Sequence, residues 1–257
     1  MLLALSTWNE VETYLESSSF VLIPIGSTEQ HGPNGMTGTD AICPTTVACA
    51  LSEQAGVLVA PTLQYGMAQH HLGFAGSVTL RPTTLIAMIR DVVDSLRQHG
   101  FQHVYFLNGH GGNIATISTA FSEFYASSSL SVDSNGSGLH LYQRNWWSGD
   151  RVKQFSADHF GDAEGSHATP TEVSLTFHAY PHLENRTQLQ PEIAPSGAFR
   201  DAVDYRQKFP DGRIGSNPAL ASAELGAKIL GCAVADTLDH IRRVIPGNAL
   251  PDSSATE

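Results

Sequence analysis

Two hydrophobic periods alternate along the chain. Phe20 to Ile25 is a continuous, branched apolar run closed by Gly26, the pattern of a strand buried on both faces. Asp40 is placed to cap a helix from about Ala41 to Gln54, closed by Gly56, and Val57 to Ala60 is a second branched run. The unit recurs as a helix from Thr83 or Thr84 through His99, a stop at Gly100, a strand from His103 to Leu107 running into a glycine-rich turn, and a helix from Asn113 to Tyr125. Strands alternating with helices of this length predict parallel βαβ crossovers, and hence an α/β fold: a three-layer α/β/α sandwich on a mainly parallel sheet.

The other segments read more simply. Trp8 to Leu15 is an amphipathic helix, Ser127 to Gly138 a surface loop, and Leu139 to Tyr142 a strand. Tyr180 to Pro218 is a long irregular excursion, and Leu220 to Val244 is a helix with Leu225, Ile229, Ala233, Val234, Leu238 and Ile241 on one face. With no internal repeat, residues 1–257 read as a single domain.

Charge narrows the partners. Twenty-five acidic against 14 basic residues leave a formal charge of −11, so phosphate backbones and anionic membranes are repelled and nucleic acid is not expected. The three cysteines (Cys43, Cys49, Cys232) argue against a disulfide framework and for a reducing, cytoplasmic setting. No positively charged leader precedes Trp8 and no run of eighteen apolar residues occurs, so neither signal peptide nor membrane span is expected.

The candidate chemistry follows the strands. Gly26-Ser27-Thr28-Glu29-Gln30-His31-Gly32 comes directly after the first strand, and Asn108-Gly109-His110-Gly111-Gly112-Asn113 directly after another. Parallel sheets gather their ligands at the carboxyl ends of strands, so both loops can share a site. Glu29 and His31, two residues apart, point the same way in extended chain, and Asp40 follows a glycine-rich turn. Imidazole and carboxylate without thiolate suit catalytic zinc, manganese or iron. The alternative makes Glu29 and His31 hydrogen-bonding loop residues and Asp40 only a helix cap.

A third cluster runs from Glu164 to Glu172. Thr169 to Glu172 forms a capping box with Pro170 at the first helical position, so Glu172 has a structural role open to it as well as a chemical one. His167 is the better candidate for acid–base work. Glu164 reads as a solvated loop acid in preference to a support for these groups, Cys43 and Cys49 as packed thiols, and His70 and His71, near enough to the active edge to touch substrate, as packing or surface residues in preference, because neighbours point apart.

In this order the three segments resemble the creatininase family, the creatinine amidohydrolases and their relatives. The likeness covers Leu22 to Asp40, Asn108 to Asn113 and His167 to Ser174, with fainter matches at Tyr65-Gly66, Phe74 to Val78 and Gly212 to Gly215. It implies a metal-dependent amidohydrolase with two divalent ions (Zn, Mn or Fe), commonly assembled as a hexamer. By position, Glu29, Asp40 and His110 would hold one ion and His31 with the shared Asp40 the other. Creatinine-hydrolysing members carry a glutamate where this chain has Gly112, and Glu172 is expected to replace it. His167 matches the histidine that touches substrate and assists proton transfer, and His167 or Glu172 would protonate the leaving nitrogen. Those members also cover the substrate ring with a tryptophan where this chain has Ala163, while Trp146 and Trp147 lie near the other family tryptophan. That departure points away from creatinine, toward another small-molecule cyclic amide or a formamide, with a carbon–nitrogen bond outside peptides. The alternatives are a family peptidase acting on a small modified peptide, and a metal-binding scaffold or regulatory subunit without turnover. An anion cradle at Asn108 to Asn113 lacks a lysine and P-loop spacing.

Overall fold

The computed structural model describes residues 1–132 and 136–251. Its central sheet contains β1 (Phe20–Ile25), β2 (His103–Asn108) and β3 (His140–Asn145), all parallel, in the order β1-β2-β3. Phe20 pairs with His103 and His103 with His140, so the three strands start level and end level at Ile25, Asn108 and Asn145. Around them lie α1 (Trp8–Ser17), α2 (Thr39–Ala55), α3 (Pro82–Gln98), α4 (Ile114–Ser129), α5 (Asp150–His159), α6 (Pro170–Ala179), α7 (Ala202–Lys208) and α8 (Ala223–Val244).

Every side chain of β1 and β2 is buried, because alternate residues serve two cores. Phe20, Leu22, Tyr105 and Leu107 face α2, α5, α6 and α8, whereas Val21, Ile23, Val104 and Phe106 face α1, α3 and α4. This is the three-layer sandwich expected from the alternation of strand and helix. The second branched run, Val57 to Ala60, lies along the other side of β1: the Leu22 N–H donates to the Leu58 carbonyl (2.9 Å) and the Ala60 N–H to the Leu22 carbonyl (2.8 Å). It forms isolated bridges rather than a full strand; Pro61, which follows at once, has no N–H to extend the ladder.

Three expectations need correction. α2 begins at Thr39 with Gly38 as its cap, so Asp40 sits inside the first turn and caps nothing. α4 continues to Ser129, absorbing the start of the expected surface loop, of which residues 133–135 lie outside the described residues. The expected excursion contains α7, whose first turn is capped by Asp201 through the N–H groups of Val203 (3.0 Å) and Asp204 (2.9 Å).

The carboxyl ends of β1 and β2 are shaped by two glycines and a proline. A Cβ on Gly26 would lie 2.1 Å from the Asp40 carbonyl oxygen, and one on Gly109 would lie 1.9 Å from it. Pro44 lacks the N–H that would otherwise bond that carbonyl. The first turn of α2 therefore rests directly on the strand ends and projects Asp40 among the loops that follow them.

Candidate metal centre

Glu29, His31, Asp40 and His110 are all buried at this rim, with the half-buried His167 and Glu172 beside them. Asp40 is the centre of the arrangement. Its Oδ1 lies 3.1 Å from His31 Nε2 and its Oδ2 3.0 Å from His110 Nδ1. Glu29 Oε2 is 3.3 Å from His110 Nε2, and Glu172 Oε2 is 3.8 Å from His31 Nε2. Two triplets result, Glu29–Asp40–His110 and His31–Asp40–Glu172, each with its ligand atoms within 4.8 Å of one another. Glu29, His31 and His167 form a third such group.

The hydrogen bonds orient the imidazoles. His31 Nδ1 donates to the Glu29 carbonyl (3.0 Å), which leaves Nε2, facing Asp40 and Glu172, as the nitrogen that would ligate an ion once its proton is displaced. His110 Nε2 donates to the Met67 carbonyl (3.0 Å), which leaves Nδ1 toward Asp40. Both oxygens of Glu29 and Oδ2 of Asp40 are buried without a hydrogen-bond partner. Buried carboxylate oxygens left unsatisfied are costly unless a cation compensates them, so this donor set fits divalent ions.

Protonation tells the same story. Burial pushes the carboxyls of Glu29 and Glu172 up, to about 8 and about 7. Burial also opposes charge on the imidazoles, but Asp40 and Glu172 outweigh it at His31, and Glu29 and Asp40 outweigh it at His110, raising these to about 10 and about 9. Asp40 is held well below the usual carboxylate range, since its two imidazole neighbours overcome its burial. Protons shared among five groups stand where cation charge would otherwise sit.

Glu172 takes the capping role and also stands at the site. Its Oε1 accepts the Thr169 N–H (2.6 Å) of the capping box while its Oε2 faces His31. His167 Nε2 donates to the Gln30 carbonyl (2.8 Å), leaving Nδ1 as an acceptor 3.8 Å from Glu29 Oε1. Burial, reinforced by His31, holds His167 neutral, well below its ordinary value. A Cβ on Gly112 would lie 2.4 Å from His110 Nε2, so the loop that orients His110 has no room for a side chain there.

Two expectations fail at this rim. His70 and His71 belong to the site rather than to packing alone. They lie in a 3-10 turn, Gln69–His71, where neighbours do not diverge as they do in a strand. His71 Nε2 is 3.1 Å from Glu29 Oε1, its Nδ1 is 2.9 Å from Gln30 Nε2, and its ring stacks on His167 at 4.4 Å. His70 stacks on Phe199 at 4.7 Å and is pushed down to about 4 by burial. Glu164, read as a solvated acid, is half-buried and accepts the Thr171 hydroxyl (2.8 Å).

The excursion supplies parts that no local pattern announced. Fully buried Arg213 binds Asp211 (2.7 Å) and the carbonyls of Pro191, Glu192 and Ser216. Tyr205 donates its hydroxyl to the Gly212 carbonyl (2.7 Å), and Gln30 Nε2 reaches the same carbonyl at 2.9 Å. Above the centre opens a cavity of about 720 Å³, floored by Asp40, His110 and Glu172 and walled in part by Trp146, Trp147, Phe199 and Ile214. Ala163 is buried and is not among its lining residues. Cys43 is a packed thiol, its Sγ 3.4 Å from the Glu172 carbonyl.

The family model of creatininase, described as creatinine amidohydrolase, matches residues 4–241. A creatinine amidohydrolase of Pseudomonas putida is 28% identical over 262 residues, 93% of this chain and 95% of that one. A mycofactocin precursor peptide peptidase of Mycobacterium ulcerans is 29% identical over 92% of this chain and 88% of its own. Among solved structures, a creatininase variant of Zn-Zn type superposes with a TM-score of 0.79 at 25% identity, covering 95% of this chain and 98% of that one.

Proposed function

The chain belongs to the creatininase family of hydrolases, and from that premise we propose that it hydrolyses the carbon–nitrogen bond of a small cyclic amide or formamide at a dinuclear centre. The observation that carries this reading is Asp40, which offers one oxygen to each of two histidine–carboxylate triplets while other carboxylate oxygens beside it lack hydrogen bonds. Glu29 and His110 complete one ligand set, and His31 and Glu172 complete the other.

Two divalent ions, zinc, manganese or iron, when bound supply a water of lowered pKa and polarise the amide carbonyl. The chain's own groups then handle the proton. His167, neutral and with Nδ1 open, accepts it from the attacking water and returns it to the leaving nitrogen. Its Nε2–H on the Gln30 carbonyl fixes the tautomer, so the same nitrogen serves both steps. Glu172, beside His31 at the same rim, is the second group placed to deliver a proton there. The excursion and the indole of Trp146 exclude bulk water from the floor. Three free cysteines support a reducing, cytoplasmic setting, and the family likeness supports a homo-oligomer.

The test is metal content followed by a substrate panel. Purified protein is expected to bind about two ions per chain, as a two-metal site requires. The zinc, manganese or iron form is expected to release amine from a cyclic amide or formamide, and His31→Ala to abolish this. Release only from small peptides would favour the bond type of the peptidase relative. Two ions bound without turnover on any of them would favour a scaffold.

A further inference from the structure

The cavity above the centre holds a cation that the hydrolytic groups leave unused. Lys153 lines it from α5, on the helix face shared with Val152, Ser156 and Ala157. The neighbouring Arg151 is neutralised by Asp236 (2.9 Å) and Asp239 (2.8 Å). Lys153 is an exposed residue of the cavity lining, and among the described residues it has neither an ion pair nor a side-chain hydrogen bond.

The acids of the cavity are occupied elsewhere. Asp40 faces two imidazoles, Glu172 accepts the Thr169 N–H, and Glu164 accepts the Thr171 hydroxyl. The lining also includes Trp147, Phe199 and Ile214, whose side chains offer a ligand's charge no partner, so Lys153 is the lining group of positive charge outside the histidines. A cavity that combines apolar walls with placed polar groups can orient a ligand, and about 720 Å³ suits one larger than a single small ring. Lysine offers three donors and no acceptor, so it answers a negative group. A net charge of −11 makes an anion's approach unfavourable unless such a cation is reserved for it.

We propose that the substrate is an amide carrying a second, anionic group, a carboxylate or a phosphate, and that Lys153 is the residue that binds it. The proposal rests on the reading of the centre as an amide-hydrolysing one, and the test separates the two. The probes are the mono-4-nitroanilide of glutaric acid, its methyl ester, and the 4-nitroanilide of 4-phosphonooxybutanoic acid. Binding to zinc-loaded protein is followed by quenching of tryptophan fluorescence, and turnover by release of nitroaniline.

Wild type is expected to bind a charged probe at least tenfold more tightly than the ester, and the tighter of the carboxylate and phosphate probes identifies the group. Lys153→Ala should abolish that preference and Lys153→Glu reverse it, the loss appearing in Kd and KM. Equal binding of charged and neutral probes, or a preference that survives Lys153→Ala, would overturn the assignment. A charge preference without nitroaniline release from any probe would leave Lys153 standing, and the hydrolytic reading would then stand or fall on amine release from the cyclic amides and formamides. Release with no charge preference would remove Lys153 alone.

Discussion

Both rims of the sheet gather histidines, and only one gathers the means to hold a metal. At the amino ends of β2 and β3, His103 stacks on His140 at 4.7 Å, with the rings 7° apart, and its Nδ1 lies 3.2 Å from the Tyr142 hydroxyl. Two residue pairs further along, the Tyr105 hydroxyl lies 2.8 Å from His240 Nδ1. Among the described residues no carboxylate pairs with any of these three imidazoles, and no metal-capable group forms there. At the carboxyl rim, His31, His110 and His167 meet Glu29, Asp40 and Glu172. Histidine number is therefore a poor marker. The discriminating feature is a set of buried carboxylates whose oxygens converge with several imidazole nitrogens.

The largest test of this contrast removes the shared acid. Asp40→Ala is expected to take metal content from about two ions per chain to none and to abolish turnover, because each triplet loses its common member. His103→Ala at the other rim should leave both ions in place. Metal analysis of the two variants decides the matter, and retention of one ion by Asp40→Ala would show that the two sets are independent.

The next test uses protons as probes. His31, His110, Glu29 and Glu172 all have folded values raised above their unfolded ones, to about 10, 9, 8 and 7. Groups raised in this way bind more protons when folded, so the stability they confer is lost as pH rises through those values. Chelated protein should therefore melt several degrees lower at pH 9.5 than at pH 6.5, each kcal/mol being worth about 2–4 °C in a chain of this size. Added zinc should shrink the gap by replacing the protons. A melting temperature flat across that range without metal would show that the cluster does not share protons as drawn.

How far the site was legible depended on how local each feature was. Glu29, His31 and His110 follow strands whose apolar runs are plain in sequence, and Asp40 heads a helix with clear ends, so spacing alone brought them to one rim. His71 was missed because alternation was assumed where the chain makes a 3-10 turn. α5 was missed because only Val152 is buried, leaving no apolar stripe. Its first turn is instead anchored from a distance, with Asp236 accepting the Val152 N–H (3.1 Å) and the Arg151 guanidinium. The role of Arg213, which ties together Pro191, Glu192, Asp211 and Ser216, could not be read from any window short enough to show periodicity.

That missed histidine gives a finer test. Gln30 Nε2 donates to His71 Nδ1, so the remaining ring proton lies on Nε2, which faces Glu29 Oε1 at 3.1 Å. In the proposed centre His71 would thus position Glu29 for the ion shared with His110. Loss of such outer support costs about 10–100-fold in metal affinity. His71→Phe, which keeps a ring stacked on His167, is expected to weaken zinc binding by that factor in competition with a chromophoric chelator, and His71→Gln to recover part of it. Unchanged affinity in His71→Phe would reduce His71 to a packing residue.

The smallest effect belongs to the other rim and has the opposite sign. Burial, reinforced by His140, lowers His103 below its ordinary value, whereas carboxylates raise His31 and His110. When the folded value is depressed, the unfolded chain binds the proton first, so the stability is intact above the unfolded value of about 6.5 and declines as pH falls below it. His103→Gln lacks this loss. Its melting temperature minus that of wild type should rise between pH 8 and pH 5. Taking the difference cancels the acid sensitivity that both proteins share at the carboxyl rim, because sites this far apart act additively. A difference that fell with acid would require a carboxylate near His103, and with it the contrast between the rims would be lost.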